Sequence, residues 1–273
     1  MNTKLLRTSL YVCGLAAAGL PVWAGPLQRA DVPAEPAWVL HVDCDSLRPT
    51  AIGQYLLAEM EKPEAEAKFA AFQTIFNFDP RKQLHGLTLY STGKAAEDGV
   101  LLVYADFDPD RLVTMAKAAK DYQSSPYKQH VIHNWIDEKK QGKADLKPRA
   151  YAAIQGGRVV VFAQREARVA QALDLLDRAA PNLAGSGLFA QLSASGCSSF
   201  LQAAASKLDF ADGDPNAAVL RLAKEARLQI GEAQGQLKAT LNLDTSDEDV
   251  ARQMATVGQG LLALMKLQQD NPG

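Results

Sequence analysis

His41, Asp43 and Asp45 carry the clearest chemical potential in this chain, an imidazole and two carboxylates at alternate positions. Such groups bind divalent cations or move protons. Spacing limits what they do together. Alternate residues on a straight strand stand about 6.8 Å apart, so His41 and Asp45 lie about 13.6 Å apart and cannot both bond one ion at about 2.1 Å. His41 and Asp43 are therefore the candidate metal pair, completed by His85 or His133 in a hydrolase whose open coordination position activates water. The competing expectation is a polar outer sheet face that ends at Asp45.

The other constellations are weaker. His130 and His133 form H-x-x-H, but a strand sends them to opposite faces, and the glutamate of H-E-x-x-H is absent. Asp106-Phe107-Asp108-Pro109-Asp110 and Asp212-Gly213-Asp214-Pro215-Asn216 begin like calcium loops. Arg111 and Ala217 occupy the sixth position, and Lys117 and Ala223 the twelfth, where such loops need Gly and Glu. Asp-Pro recurs at Asp79-Pro80, Asp108-Pro109 and Asp214-Pro215, as expected of a helix-start device. The chain has no G-x-S-x-G elbow and no P-loop. Gly185-Ser186-Gly187 and the small polar stretch Ser193 to Ser199 read as connections. No catalytic residue is assigned, and no cofactor is called for.

The elements that position these groups follow from periodicity. Trp38, Leu40, Val42 and Cys44 alternate with Val39, His41, Asp43 and Asp45, which is a strand. Helices are expected from Ile52 and around Phe69, Phe72 and Ile75, then strands over Leu87 to Ser91 and Gly99 to Phe107. Asp108-Pro109 opens a helix to about Lys120. Gln129 to Ile136 is a strand, and Gly156-Gly157 joins Ala150 to Ile154 and Arg158 to Ala163 as a tight hairpin. Val169, Leu173 and Leu176 mark an amphipathic helix. Ser199 to Ala205, a helix over Ala217 to Ala226, a hairpin of Leu228 to Ala233 with Gln236 to Leu243, and a helix from Ser246 to about Leu267 complete the order. Thr245 and Glu248 form a capping box for the last helix, whose apolar stripe is Val250, Met254, Val257, Leu261 and Met265.

The amino terminus is an address. Lys4 and Arg7 precede an apolar run from Leu10 to Leu20, and Val22 and Ala24 suit a secretory signal peptide cut after Ala24. Tyr11 and the early position of Cys13 argue against a lipid attachment site. Loss of Lys4 and Arg7 moves the balance from 29 basic against 31 acidic residues to a net charge of about −4. A weak acidic excess excludes a broad nucleic-acid surface. No later segment is long and apolar enough to be a transmembrane helix. Cys44 and Cys197 remain, either as a disulfide in an oxidising compartment or as two thiols.

The export signal, the strand Trp38-Val39-Leu40-His41-Val42-Asp43 with Leu47-Arg48, and Phe78-Asp79-Pro80-Arg81-Lys82 before Leu87-Thr88-Leu89-Tyr90 resemble a recurring type of uncharacterised exported bacterial α+β protein. The resemblance covers the first half, implies an envelope location and an α+β fold, and brings no catalytic residues.

The chain thus reads as α+β, with duplicated βαββα modules in a largely antiparallel sheet and helices on one face. Residues 1–24 form the signal peptide, 25–36 an exposed linker, 37–180 a first module with insertions and 181–273 a second. The expected function is a noncatalytic, periplasmic or secreted protein. It binds an envelope protein or small ligand through a sheet face or inter-repeat groove, with an apolar patch near Trp135 as its mark. The alternatives are the metal-assisted hydrolase and a structural, oligomerising envelope protein.

Overall fold

In the computed structural model, residues 25–138, 148–185, 198–206, 223–245, 247–252 and 255–256 are described. Ten strands form one sheet: β1 (Trp38–Asp43), β2 (Leu84–Ser91), β3 (Gly99–Ala105), β4 (Gln123–Tyr127), β5 (His130–Ile136), β6 (Arg149–Gln155), β7 (Val159–Ala163), β8 (Ser198–Ala205), β9 (Ala223–Ala233) and β10 (Gln236–Thr245). Their order is β10-β9-β8-β1-β2-β3-β7-β6-β5-β4, with every neighbouring pair antiparallel. Tight turns explain much of this. Gly156 and Gly157 sit at φ +58° and +69°, and Gln234 and Gly235 at +54° and +72°. Left-handed pairs of this kind twist a turn to match the strands it joins.

Among the described residues the named helices beside the sheet are α1 (Cys44–Leu47), α2 (Ala51–Met60), α3 (Pro63–Phe76), α4 (Pro80–Gln83), α5 (Pro109–Lys117) and α6 (Glu166–Leu176). The Asp-Pro device works as expected at two of its three sites. Asp79 accepts from Arg81 N at 3.0 Å, and Asp108 accepts from Asp110 N at 3.0 Å and Arg111 N at 3.2 Å. Asp214-Pro215 lies outside the described residues. Helix α2 starts at Thr50, whose hydroxyl accepts from Gly53 N at 3.0 Å. Only glycine fits at Gly53, since a Cβ there would stand 1.9 Å from the Leu47 carbonyl oxygen.

The core lies between α6 and one face of the sheet. Val169, Ala172, Leu173 and Leu176 follow helical spacing and pack against Val39, Tyr90, Leu102, Ile132, Ala153 and Val161. On β7, Val159, Val161 and Ala163 belong to this core, whereas Val160 and Phe162 face α5 across the opposite side. The α+β, antiparallel sheet agrees with the sequence reading, and α5 adds cover on the second face over β5 to β7. The continuous apolar run of β7 has two faces to bury.

Several local expectations are corrected. Residues 25–36 are packed and not an exposed linker. Val32 is completely buried, Leu183 N donates to Val32 O at 2.9 Å, and Asp31 accepts from Arg178 at 2.7 Å and from the Tyr104 hydroxyl at 2.8 Å. These partners lie far along the chain, so local composition hides them. Strand β4 was absent from the sequence reading because Pro126 interrupts its pattern, and an edge strand tolerates proline. Strand β1 ends at Asp43, two residues early, because the Asp43 carboxylate caps α1 by accepting from Ser46 N at 2.9 Å and Ser46 Oγ at 2.7 Å. The carboxyl-terminal capping residue is Asp247, which accepts from Asp249 N at 2.7 Å, while the Thr245 hydroxyl donates to Asp247 O. Residues 248–252 are helical, and the remainder of the expected stripe beyond Val250 lies outside the described residues, as does most of the helix expected over 217–226, whose last residues instead open β9.

The proposed boundary at 180/181 falls between α6 and β8. Strand β8 hydrogen-bonds to β1, so both segments share the same sheet. Since Leu173 of α6 is completely buried against the sheet, Leu173→Ala is expected to cost about 2–5 kcal/mol of stability. Urea unfolding midpoints check it, and an unchanged midpoint would place α6 outside the cooperative core.

Candidate functional site

The two faces of β1 have opposite chemistry. Toward the α6 side, register aligns Thr88, His41, Gln202 and Gln229 across β2, β1, β8 and β9. All four are buried, His41 to 1% exposure. This corrects the expected polar outer face, because the polar residues of β1 point inward and find partners there. His41 Nε2 lies 3.0 Å from the Gly25 carbonyl oxygen, which only accepts, so Nε2 carries the proton. Nδ1 then accepts from the Thr88 hydroxyl at 2.8 Å. Burial holds the His41 pKa below its ordinary 6.5, against the opposing pull of the Gly25 carbonyl and Asp43.

The structure does not assemble the expected metal set. Both ring nitrogens of His41 are engaged. His85 lies three residues along β2 from Thr88, a run of about 10 Å, and its ring bridges Asp45 and Asp106 at 3.1 Å each. His133 is on β5, five strand positions from β1 and thus about 24 Å away. Its Nδ1 meets the Tyr122 hydroxyl at 2.8 Å, whereas His130 reaches Asp177 at 2.7 Å on the α6 side. The two histidines take opposite faces, as their spacing requires. Among the described residues no three His, Cys, Asp or Glu side chains form a group able to hold a metal ion. Among the described residues Cys44 has no disulfide partner, and burial pushes its thiol up to about 11. Cys197 and most of the stretch around it lie outside the described residues, and so do Ser186 and Gly187.

The opposite face is apolar. Leu228, Ala203, Leu40, Leu89, Leu101 and Phe162 align in register across β9, β8, β1, β2, β3 and β7. Leu241 extends the row onto β10 at 56% exposure. Two apolar cavities sit along this face. One, of about 460 Å³, is lined by Trp38, Leu89, Leu101, Ala150 and Phe162. The other, of about 310 Å³, lies under α5 between Leu112, Met115, Ala119, Trp135, Ile154 and Phe162. Phe162 borders both, so the two cavities adjoin across one aromatic ring, and together they are called the trough. Trp135 lines the cavity under α5 and is half-buried.

The wall of the trough is held by backbone chemistry. Helix α3 ends at Asn77 in the left-handed conformation, and Arg111 of α5 donates to the Thr74 and Ile75 carbonyls at 2.7 Å each. These bonds satisfy the free carbonyls of the helix end and bring Phe76 to the cavity rim. The readable signal for this site was the apolar runs Val100 to Val103 and Val159 to Phe162, which place apolar side chains on both faces of their strands.

His41 has a pH signature. The unfolded state takes up its proton near the ordinary pKa, while the buried ring resists, so its contribution is complete above about pH 6.5 and is lost as pH falls through that region. His133, also lowered by burial, adds to the slope. His41→Gln is expected to flatten the dependence of the unfolding free energy on pH as pH falls below about 6.5. Parallel denaturation series would show equal slopes if the imidazole were already charged in the folded chain.

No protein-family profile and no curated protein matches this chain. Among solved structures it is similar to crystal form III of TP0453, with TM-score 0.46 and 12% identity over 86% of this chain and 87% of that one. It is also similar to crystal form I of TP0453, with TM-score 0.45 and 11% identity over 82% and 81%. Neither lends a residue to the site, whose assignment rests on its own geometry.

Proposed function

We propose that this chain is an exported, noncatalytic protein that binds an elongated apolar molecule, such as an acyl chain, along the trough beneath α5. The observation that carries this reading is the shared wall. Phe162 lines both cavities, and their apolar surroundings continue into the Leu40, Leu89 and Leu101 row. Volumes of about 310 and 460 Å³ fall in the range of ligand sites. Apolar surface of this kind favours occupancy by about 25 cal/mol for each Å² removed from water. Export rests on Lys4, Arg7 and the apolar run that follows them.

The trough suits binding and offers little for bond cleavage. His133 is the ionisable residue on its lining, and its ring is tied to Tyr122. The metal-assisted reading lacks support because both ring nitrogens of His41 are engaged and, among the described residues, no three metal-ligating side chains come together.

Trp38 and Trp135 line the two cavities, so both report on occupancy without a label. Titration of the chain 25–273 with a long-chain fatty acid is expected to change tryptophan fluorescence saturably, and Phe162→Ala to weaken affinity about tenfold or more. A folded chain without saturable binding, or an unchanged affinity in the variant, would contradict the proposal.

A further inference from the structure

Gly25 is the residue that follows the expected signal cleavage, and it does not hang free. Its carbonyl oxygen accepts from buried His41 at 3.0 Å. On its other side, a Cβ built at Gly25 would stand 3.7 Å from Asp43 Oδ2. The Gly25 nitrogen is bonded to the same Cα, about 2.5 Å from that Cβ position, so it lies no farther than about 6.2 Å from Asp43 Oδ2, within reach of a turn about the terminal residue's own bonds. Asp43 is 2% exposed. Among the described residues its carboxylate accepts from Ser46 N and Ser46 Oγ, and no ion pair reaches it. Two neutral donors leave a buried negative charge without a counter-charge.

We infer that the His41 and Asp43 pocket is the docking site for the new amino terminus made by signal cleavage, with the Gly25 ammonium as counter-ion to Asp43. The inference rests on cleavage after Ala24. Hydrolysis by a signal-cleaving protease breaks the Ala24 to Gly25 peptide bond. The water oxygen goes to Ala24 as carboxylate, and the nitrogen stays on Gly25 as a primary amine that takes up a proton at neutral pH. Before cleavage that nitrogen is a neutral amide with one hydrogen. Afterwards it is a cation with three donors, beside a carboxylate screened from water.

The chemistry explains features that the apolar trough leaves unused. Neutral His41 holds the carbonyl of the terminal residue and orients it, while Asp43 meets its nitrogen. Thr88 fixes the His41 ring from behind, at 2.8 Å. Asp43 also caps α1, and α1 packs on β2 and β8, so a charge placed at Asp43 bears on the junction where β1 joins β8 and β2. The processed chain is thereby distinguished from its precursor by stability as well as by length.

Two measurements test the two premises separately. The intact mass of the chain recovered from an exporting bacterial host is expected to begin at Gly25; any other start overturns the inference for the natural product. Independently, chains released from a fusion so as to begin at Gly25 or at Ala24 are compared by thermal unfolding. The Gly25 start is expected to raise Tm by about 3–6 °C over the Ala24 start, and Asp43→Asn, which keeps an oxygen to cap α1, is expected to abolish the difference. Equal Tm values in the unmutated pair, or a difference that survives in Asp43→Asn, would overturn the pocket. Acylation of the terminal amine by an activated ester needs no variant. It is expected to be at least about tenfold slower in the folded chain than in a free Gly-Pro-Leu peptide, and equal rates would contradict docking.

Discussion

Backbone pairing of β1 on both edges is the constraint on which the rest of the structure depends. Trp38 to Asp43 pair with β2 on one side, and Trp38 to Val42 pair with β8 on the other. That joins an early strand to one more than 150 positions later and makes a single sheet out of both parts of the chain. With both edges consumed, β1 has only its two faces left to express chemistry. Alternation then separates Val39, His41 and Asp43 from Trp38, Leu40 and Val42. One face becomes a buried polar pocket, and the other becomes part of an apolar trough.

Much of this was legible in the residues. The period of β1, the Asp-Pro starts of α4 and α5, the stripe of α6 and the Gly156-Gly157 turn are local devices, and local devices read correctly from sequence. Most of what failed depended on distant partners, whereas the early end of β1 at Asp43 and the shift of the last cap from Thr245 to Asp247 were local. The direction in which His41 points is decided by Thr88 and by Gly25, neither of which is adjacent to it in the chain. Asp31 and Val32 looked like linker because Tyr104, Arg178 and Leu183 are needed to bury them. The trough itself was half-visible. Apolar runs in β3 and β7 announce two buried faces, but register is needed to show that Leu40, Leu89, Leu101 and Phe162 form one row.

Electrostatics and apolar burial divide the molecule cleanly. Three of the four buried carboxylates among the described residues are paired with arginine, Asp43 being the exception: Asp31 with Arg178, Asp98 with Arg165 and Arg168, Asp79 with Arg81. The Arg168 guanidinium holds Asp98 below the usual carboxylate range, and Arg81 does the same for Asp79. These pairs cluster at strand ends and beneath α6, away from the row that crosses the opposite face. The sheet thus keeps its ionic partners at the margins and offers an uncharged surface across its middle.

Nuclear Overhauser contacts between a bound acyl chain and the protein test the central claim most directly. Occupancy of the trough predicts contacts from the chain methylenes to the rings of Trp38, Trp135 and Phe162 in the same complex. Contacts confined to residues of the α6 face, or none to these three rings at saturating ligand, would contradict the account.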